Sequence, residues 1–470
     1  MDTQETFYWY DLETFGLNAR YDRIAQFAGL RTDTALNIIG EPTVLYCRLS
    51  DDYLPDPLAC LVTGITPQEV QAKGLCESAF IQQINEIFSV PRTTVAGFNS
   101  LRFDDEFIRN ALFRNFLDPY RREWEKGNSR WDILDLLRAA HDLRPEGIVW
   151  PVNAENGNPV FKLTALTEAN HIAHDNAHDA LSDVKATITL ASLILHQQPR
   201  LFNYYLKLRK KQTVKELMHI PLGEPVLLTS VMSTRPQGCS TLVVPINTPL
   251  ENTNSIIVFD LMQDADALYA VPDEEILHVK GISRVALNRC PFVSPMSVLT
   301  DSLAERLGID KQACLATYNR LRNDPMLAVK VRVAADQDEY PKVADVDFSL
   351  YNGFFPDSDI RRFEIIRNTA PQELLDLNLR FDDNERCPEL LWRYICRNWP
   401  EALDAQQSAR WKSFCASRLL QAPGDVQVNY EFYQRKIEEK MASKDTTPQE
   451  KIILAKLDEW GKGLRQRIFG

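Results

Sequence analysis

The sequence predicts an α/β domain, then a small β-rich barrel, then an all-helical segment, and three changes of texture along the chain predict it. Residues 1–195 alternate strand-like and helix-like patterns, as a mixed sheet flanked by helices requires. Residues 224–296 carry short apolar runs separated by turn residues. From Asp357 onward the apolar spacing is helical throughout. At 470 residues the chain also exceeds what one hydrophobic core sustains. The expected domains are 1–195, 196–355 and 356–470.

In the first domain, Phe7-Tyr-Trp-Tyr-Asp11 holds β-formers and precedes the turn signal Phe15-Gly16. Arg23 to Thr32 and Glu41 to Cys47 continue as strands, followed by a polar loop from Ser50 to Pro57. Thr66-Pro-Gln-Glu starts a helix. Thr93 to Phe98 is a short strand, and a helix begins at Asp104 with apolar positions 107, 108, 111, 112 and 116. Residues 178–195 form a helix with Leu181, Val184, Ile188, Ala191 and Ile194 on one side. Barrel strands are expected at 225–229, 241–245, 255–260 and 284–287. Helical spacing returns at Asp301 to Ala328, and a last helix after the break at Thr446-Thr-Pro runs to about residue 462.

Composition narrows the function classes. Apolar residues are 44% and charged residues 25%, which is globular and excludes a disordered chain. No signal-peptide pattern and no apolar run of spanning length is found, so a cytoplasmic protein is expected. Nine cysteines without a CxxC pair suit reduced thiols and argue against a cysteine-held metal. Net charge is −12, which taken alone opposes a polyanionic partner. Acidity is concentrated in residues 1–195, with 28 acidic against 17 basic side chains. Residues 200–216 reverse it locally, with Arg200, Lys207, Arg209, Lys210, Lys211 and Lys215 against Glu216.

Asp11-Leu-Glu13 ends the first strand, where residues two apart share a face. Asn99-Ser-Leu-Arg-Phe-Asp104-Asp-Glu places acids at a strand-to-helix junction, and His178-Asp-Ala-Leu-Ser-Asp183 sets a histidine five residues before an acid. Each has a plainer reading by itself: a solvated acidic pair, a helix cap at Asp104 or Asp105, and a first turn favouring the dipole. On a regular helix, positions five apart differ by roughly 140°, so His178 shares a site with Asp183 only from the first turn or the preceding loop. His171, His174 and His178 also admit a zinc reading, but carboxylate-rich surroundings favour hard cations.

Jointly, Asp11, Glu13, Asp104, His178 and Asp183 resemble the DEDDh branch of the DnaQ-like 3′–5′ exonucleases, whose domain is ribonuclease-H-like. The likeness narrows with Tyr10-Asp-Leu-Glu-Thr-Phe-Gly16, Asp52-Tyr-Leu-Pro-Asp-Pro57, Thr63-Gly-Ile-Thr-Pro67, Asn128-Ser-Arg-Trp-Asp132, Leu143-Arg-Pro-Glu-Gly147, Asn176-Ala-His-Asp-Ala180 and Leu350-Tyr-Asn-Gly-Phe-Phe355. These motifs resemble the bacterial exonuclease I family, which digests single-stranded DNA and adds an SH3-like barrel and a C-terminal helical domain.

The resemblance implies a processive 3′–5′ exonuclease in DNA repair and recombination, releasing deoxynucleoside 5′-monophosphates. It implies two Mg²⁺, replaceable by Mn²⁺, on Asp11, Glu13, Asp104 and Asp183, since such ions about 4 Å apart stabilise both oxygens at phosphorus. His178, with an ordinary pKa of about 6.5, would deprotonate the attacking water. Glu13 and Lys162 would meet the substrate; Arg109, Tyr120, Trp124, Arg138, Lys211 and Asn254 would contact the strand. A single-strand-binding protein with an acidic tail is the implied partner, and a monomer is expected. A proofreading or oligoribonuclease-type DEDDh enzyme would need little beyond residue 195. A non-catalytic single-strand-binding scaffold would not need all five site residues.

Overall fold

A computed structural model describes residues 4–174, 179–338, 341–424, 426 and 428–470. The first domain is built on a five-stranded sheet of order β3-β2-β1-β4-β5. Its strands are β1 (Thr6–Thr14), β2 (Ile24–Thr32), β3 (Ile38–Tyr46), β4 (Thr93–Gly97) and β5 (Ser129–Asp132). β1 to β3 are antiparallel, while β4 and β5 run parallel to β1. Helices are α1 (Pro57–Thr63), α2 (Pro67–Lys73), α3 (Glu77–Phe88), α4 (Asp104–Arg114), α5 (Ile133–Leu143), α6 (Leu163–Ala169) and α7 (Ala180–Gln197).

β1 is buried on both faces, and its alternation divides two cores. Phe7 and Trp9 pack with Trp131, Val184 and Ile188 on the side of α5 and α7. Tyr8, Tyr10 and Leu12 pack with Phe88, Phe107 and Ile108 on the side of α3 and α4. The period of two therefore sends Asp11 and Glu13 to the α7 side, at the strand's C-terminal end.

Several boundaries differ from the sequence reading. The third strand starts at Ile38, and α7 runs from Ala180 to Gln197, stopped by Pro199. Neither Asp104 nor Asp105 is the cap of α4; both lie inside its first turn, after Phe103. The final helix continues from Pro448 to Phe469 instead of ending near 462, because Leu464 is buried and Ile468 packs on the same core. Its start carries a complete capping box between Thr447 and Glu450.

Linker helices α8 (Pro199–Lys207) and α9 (Lys211–Leu217) lead to the barrel. Its strands are β6 (Val226–Thr229), β7 (Ser240–Asn247), β8 (Ser255–Asp260), β9 (Ile282–Ala286) and β10 (Phe292–Pro295), ordered β10-β6-β7-β8-β9 and all antiparallel. Phe202 and Tyr205 of α8 lie 5.1 and 5.5 Å from the Trp131 ring, and Tyr205 lies 5.4 Å from Phe292. One apolar core thus runs from sheet to barrel.

Beyond residue 345 the described segments are helical. A buried ionic network welds this region to the first domain. Asp52, ahead of α1, accepts from Arg397 at 2.8 and 3.0 Å, and Arg397 also reaches Asp347 at 2.6 Å. Burial opposes charge on Asp52, but Arg397, Arg418 and Arg23 outweigh it and hold the carboxyl below the usual range. Such a network costs desolvation, and removing one partner leaves a buried unpaired charge.

Candidate active site

Three carboxylates converge at the C-terminal end of β1. Ligand atoms of Asp11, Glu13 and Asp183 all lie within 4.8 Å of one another. Two come from adjacent same-face positions of the strand and the third from the first turn of α7, which packs over that face. Asp104 joins from the other side of the strand end: its Oδ1 accepts from the Leu12 backbone N–H at 3.2 Å, between the two strand acids.

The turn bearing Asp104 is fixed from below. Asn99 adopts φ 60°, in the left-handed region that Asn tolerates. Asp132, which caps α5, accepts from the backbone N–H groups of Asn99 at 2.9 Å, Leu101 at 3.1 Å and Leu134 at 2.9 Å. Gly97 also matters: a Cβ there would stand 2.9 Å from the Tyr10 carbonyl oxygen and 2.7 Å from Ser100 Cβ. A larger residue would push the turn away from β1.

Crowding shows in the acidities. Burial, then Asp11, Asp183 and Asp179, push Glu13 up to about 9. Asp11 is raised well above the carboxylate range by removal from water and then by Asp104, Asp183 and Asp179. Asp104 is raised well above it too, chiefly by burial. Carboxylates so placed favour proton or cation occupancy. An all-oxygen donor set of this kind fits a hard divalent cation.

Asp105 behaves oppositely. It accepts from Arg122 at 2.6 Å and from Arg130, and Arg122, Arg130 and Arg109 overcome its burial to hold it below the usual range. Of the two neighbouring acids, Asp105 is neutralised by arginines and Asp104 is left facing the pit. His178 lies outside the described residues. His174 is described: its Nε2 lies 2.5 Å from Asp183 Oδ1 and its Nδ1 3.1 Å from Thr167 Oγ1. Among the described residues, the metal-competent cluster contains no histidine.

Three family models cover the chain in order: "Exonuclease" over 8–191, "Exonuclease I SH3-like domain" over 209–335 and "Exonuclease I C-terminal domain" over 344–464. Exodeoxyribonuclease I of Escherichia coli is 43% identical over 423 residues, spanning 87% of this chain and 88% of that protein. The chain belongs to the exonuclease I family. The Haemophilus influenzae exodeoxyribonuclease I is 41% identical over 88% of this chain and 90% of its own length. Solved exonuclease I structures agree. That of Methylocaldum szegediense matches with TM-score 0.92 and 41% identity, covering 98% of this chain and 99% of that one. The Escherichia coli enzyme in complex with a dA16 oligonucleotide matches with TM-score 0.92 and 39% identity, covering 98% and 100%. The likeness to an oligoribonuclease of Dichelobacter nodosus, 26% identical, reaches only 43% of this chain.

In this member of the family, the residues expected around the strand are differently disposed. Lys211 donates to Asn254 Oδ1 across 43 residues of sequence, joining linker and barrel. Lys162 is exposed at the start of α6. Trp124 is 66% exposed. Tyr120 is half-buried, with the Arg109 guanidinium 5.2 Å over its ring. Arg109 is itself buried, its Nε and Nη2 on Glu123 at 2.8 and 3.0 Å. Arg138 is buried as well, donating to Asp135 at 2.6 Å with its guanidinium 5.7 Å from Phe161. Phe354 was not among the expected residues. It is 88% exposed and meets Tyr120 edge-on at 6.1 Å. Its signal was the Leu350–Phe355 motif, which holds two adjacent phenylalanines where a buried core position needs only one.

Proposed function

We propose that the convergent carboxylates Asp11, Glu13, Asp104 and Asp183 are the catalytic centre of a Mg²⁺-dependent 3′–5′ exodeoxyribonuclease acting on single-stranded DNA. The observation that carries this is the convergence itself: Asp11, Glu13 and Asp183 lie within 4.8 Å of one another, Asp104 docks on the Leu12 N–H between the strand acids, and burial raises Asp11, Glu13 and Asp104. Two Mg²⁺ held by these four acids would supply charge neutralisation of the scissile phosphate and of the attacking and leaving oxygens. A solved exonuclease I relative is a zinc-bound complex with single-stranded DNA, which supports a divalent site.

The chain's own residues then divide the work. Glu13 faces the terminal nucleotide from the strand end, and Lys162 offers a point charge to a substrate phosphate. His178, by family likeness, takes the proton of the attacking water. Trp124, Tyr120 and Phe354 present ring faces and edges on which any base can stack, while Lys211 with Asn254 meets the backbone further along. Arg109 and Arg138, buried on acids, hold Tyr120 and Phe161 in place in this reading. A solved relative is an ExoI/SSB-Ct complex. We extend that partner to this chain, with the groove lined by Arg200, Asn203, Tyr204 and Lys207 on α8 offering charge to an acidic tail.

Digestion of a 5′-labelled single strand, with and without EDTA and beside a duplex control, tests this reading. A ladder shortening from the 3′ end, abolished by EDTA and absent on duplex, is expected. Release of the 5′ label as mononucleotide ahead of any shortened strand, or digestion indifferent to EDTA, would overturn it.

A further inference from the structure

Glu106 stands outside the carboxylate pit, on the first turn of α4, and three parts of the chain meet on its side chain. Oε1 accepts from Arg109 Nη1 at 3.0 Å on the same helix and from Arg289 Nη2 at 2.9 Å, in the barrel segment between β9 and β10. Oε2 accepts from the hydroxyl of Tyr351, on the turn that opens the C-terminal region. The two distant donors lie 183 and 245 residues away in sequence.

The junction is half-buried, with the Arg289 side chain 40% exposed and Tyr351 46%. The Glu106 side chain is only 16% exposed, and hydrogen bonds to an ionised acceptor are roughly twice as strong as neutral ones. Arg109 is shared between Glu106 and Glu123, so the charge of Glu106 is balanced by Arg109 and Arg289 together. The junction also borders the exposed aromatics: Phe354, three residues after Tyr351, meets Tyr120, and Tyr120 lies under Arg109.

We propose that Glu106 is a positioning residue that latches the barrel and the C-terminal region onto the exonuclease domain beside the strand. It thereby sets how many nucleotides are removed per encounter, not how fast each bond is cut. This rests on the single-strand exonuclease reading above. The Asp52–Arg397–Asp347 network forms a second junction, so loss of the latch loosens the C-terminal region without detaching it.

Tyr351→Phe is the sharpest test, because it keeps the ring and removes only the hydroxyl. Dissociation of a labelled single strand is measured in EDTA. Nucleotides removed per encounter are counted with metal and an excess of unlabelled trap strand, and the turnover rate is read on a trinucleotide. Expected are faster dissociation and shorter runs, each by about tenfold, with trinucleotide turnover unchanged and Tm lowered by no more than a few degrees. Glu106→Gln should reproduce this, and adding Tyr351→Phe to it should have little further effect, as coupled partners require. Wild-type dissociation and run length in Tyr351→Phe would overturn the latch, as would an equal loss on the trinucleotide. The dissociation arm needs no catalysis, so failure of the exonuclease reading is distinguishable from failure of the latch.

Discussion

The backbone N–H of Leu12 donates to Oδ1 of Asp104 at 3.2 Å, which docks the first turn of α4 between the two strand acids Asp11 and Glu13. Its neighbour Asp105 is held instead by Arg122 and Arg130. Asp104→Asn should therefore abolish digestion, retain strand binding and leave metal-free Tm unchanged or higher, since a crowded charge is removed. Asp105→Asn should unfold the protein more easily, by about 3–5 kcal/mol, because two buried guanidinium groups lose their counter-charge. Thermal melts and rate measurements on both variants check the contrast; equal destabilisation by the two would contradict the division of roles.

The pit should also couple metal to protons. Glu13 has its pKa pushed up to about 9, so the folded metal-free chain holds a proton there that the unfolded chain has already lost above about pH 4.5. That contribution to stability is present below the unfolded pKa and lost as pH rises toward 9. Metal-free Tm should fall across this window, and added Mg²⁺ or Mn²⁺ should recover more of it at pH 8.5 than at pH 6. Binding must then release protons. Calorimetric titration of Mn²⁺ at pH 7.5 in two buffers of different ionisation enthalpy should show at least one proton released; a buffer-independent heat would contradict it.

Much of this site was legible in the sequence because it is local. Asp11 and Glu13 share a face by strand period, and Asp183 follows a cap at the start of an apolar-faced helix. In the sequence only the family resemblance separates Asp104 from Asp105, since the physical distinction depends on Arg122 and Arg130 folding back 17 and 25 residues. β5 escaped notice because it is four residues long, and α5 because its polar positions are buried and paired: Asp135 with Arg102 and Arg138, Asp142 with the Cys239 backbone. Of the Glu106 contacts only the i,i+3 spacing to Arg109 was legible, because Arg289 and Tyr351 belong to other domains.

Phe354 offers a test of strand grip separate from chemistry. Its ring is 88% exposed, so Phe354→Ala removes little packing and Tm should not move. A base stacked on such a ring is worth roughly 1–3 kcal/mol. The apparent KM for a long single strand should rise by about tenfold or more at constant kcat, with a smaller change on a trinucleotide. An equal KM on both lengths would remove Phe354 from the strand path.

Asp132 supplies the remaining prediction. It is buried and accepts three backbone N–H groups, two of them in the turn that delivers Asp104. Burial and the nearby Asp135 lift its pKa to about 6 against those hydrogen bonds, so it is ionised at neutral pH and can accept all three. Asp132→Ala leaves those donors without a buried acceptor, at a cost of about 1–3 kcal/mol each. The turn should then drift from Leu12, lowering kcat and metal affinity together. Asp132→Asn keeps one carbonyl acceptor and should recover part of both. Metal titration by calorimetry beside single-turnover rates separates this from general destabilisation: a variant with lower Tm but wild-type metal affinity would show that Asp132 holds α5 alone and not the turn of Asp104.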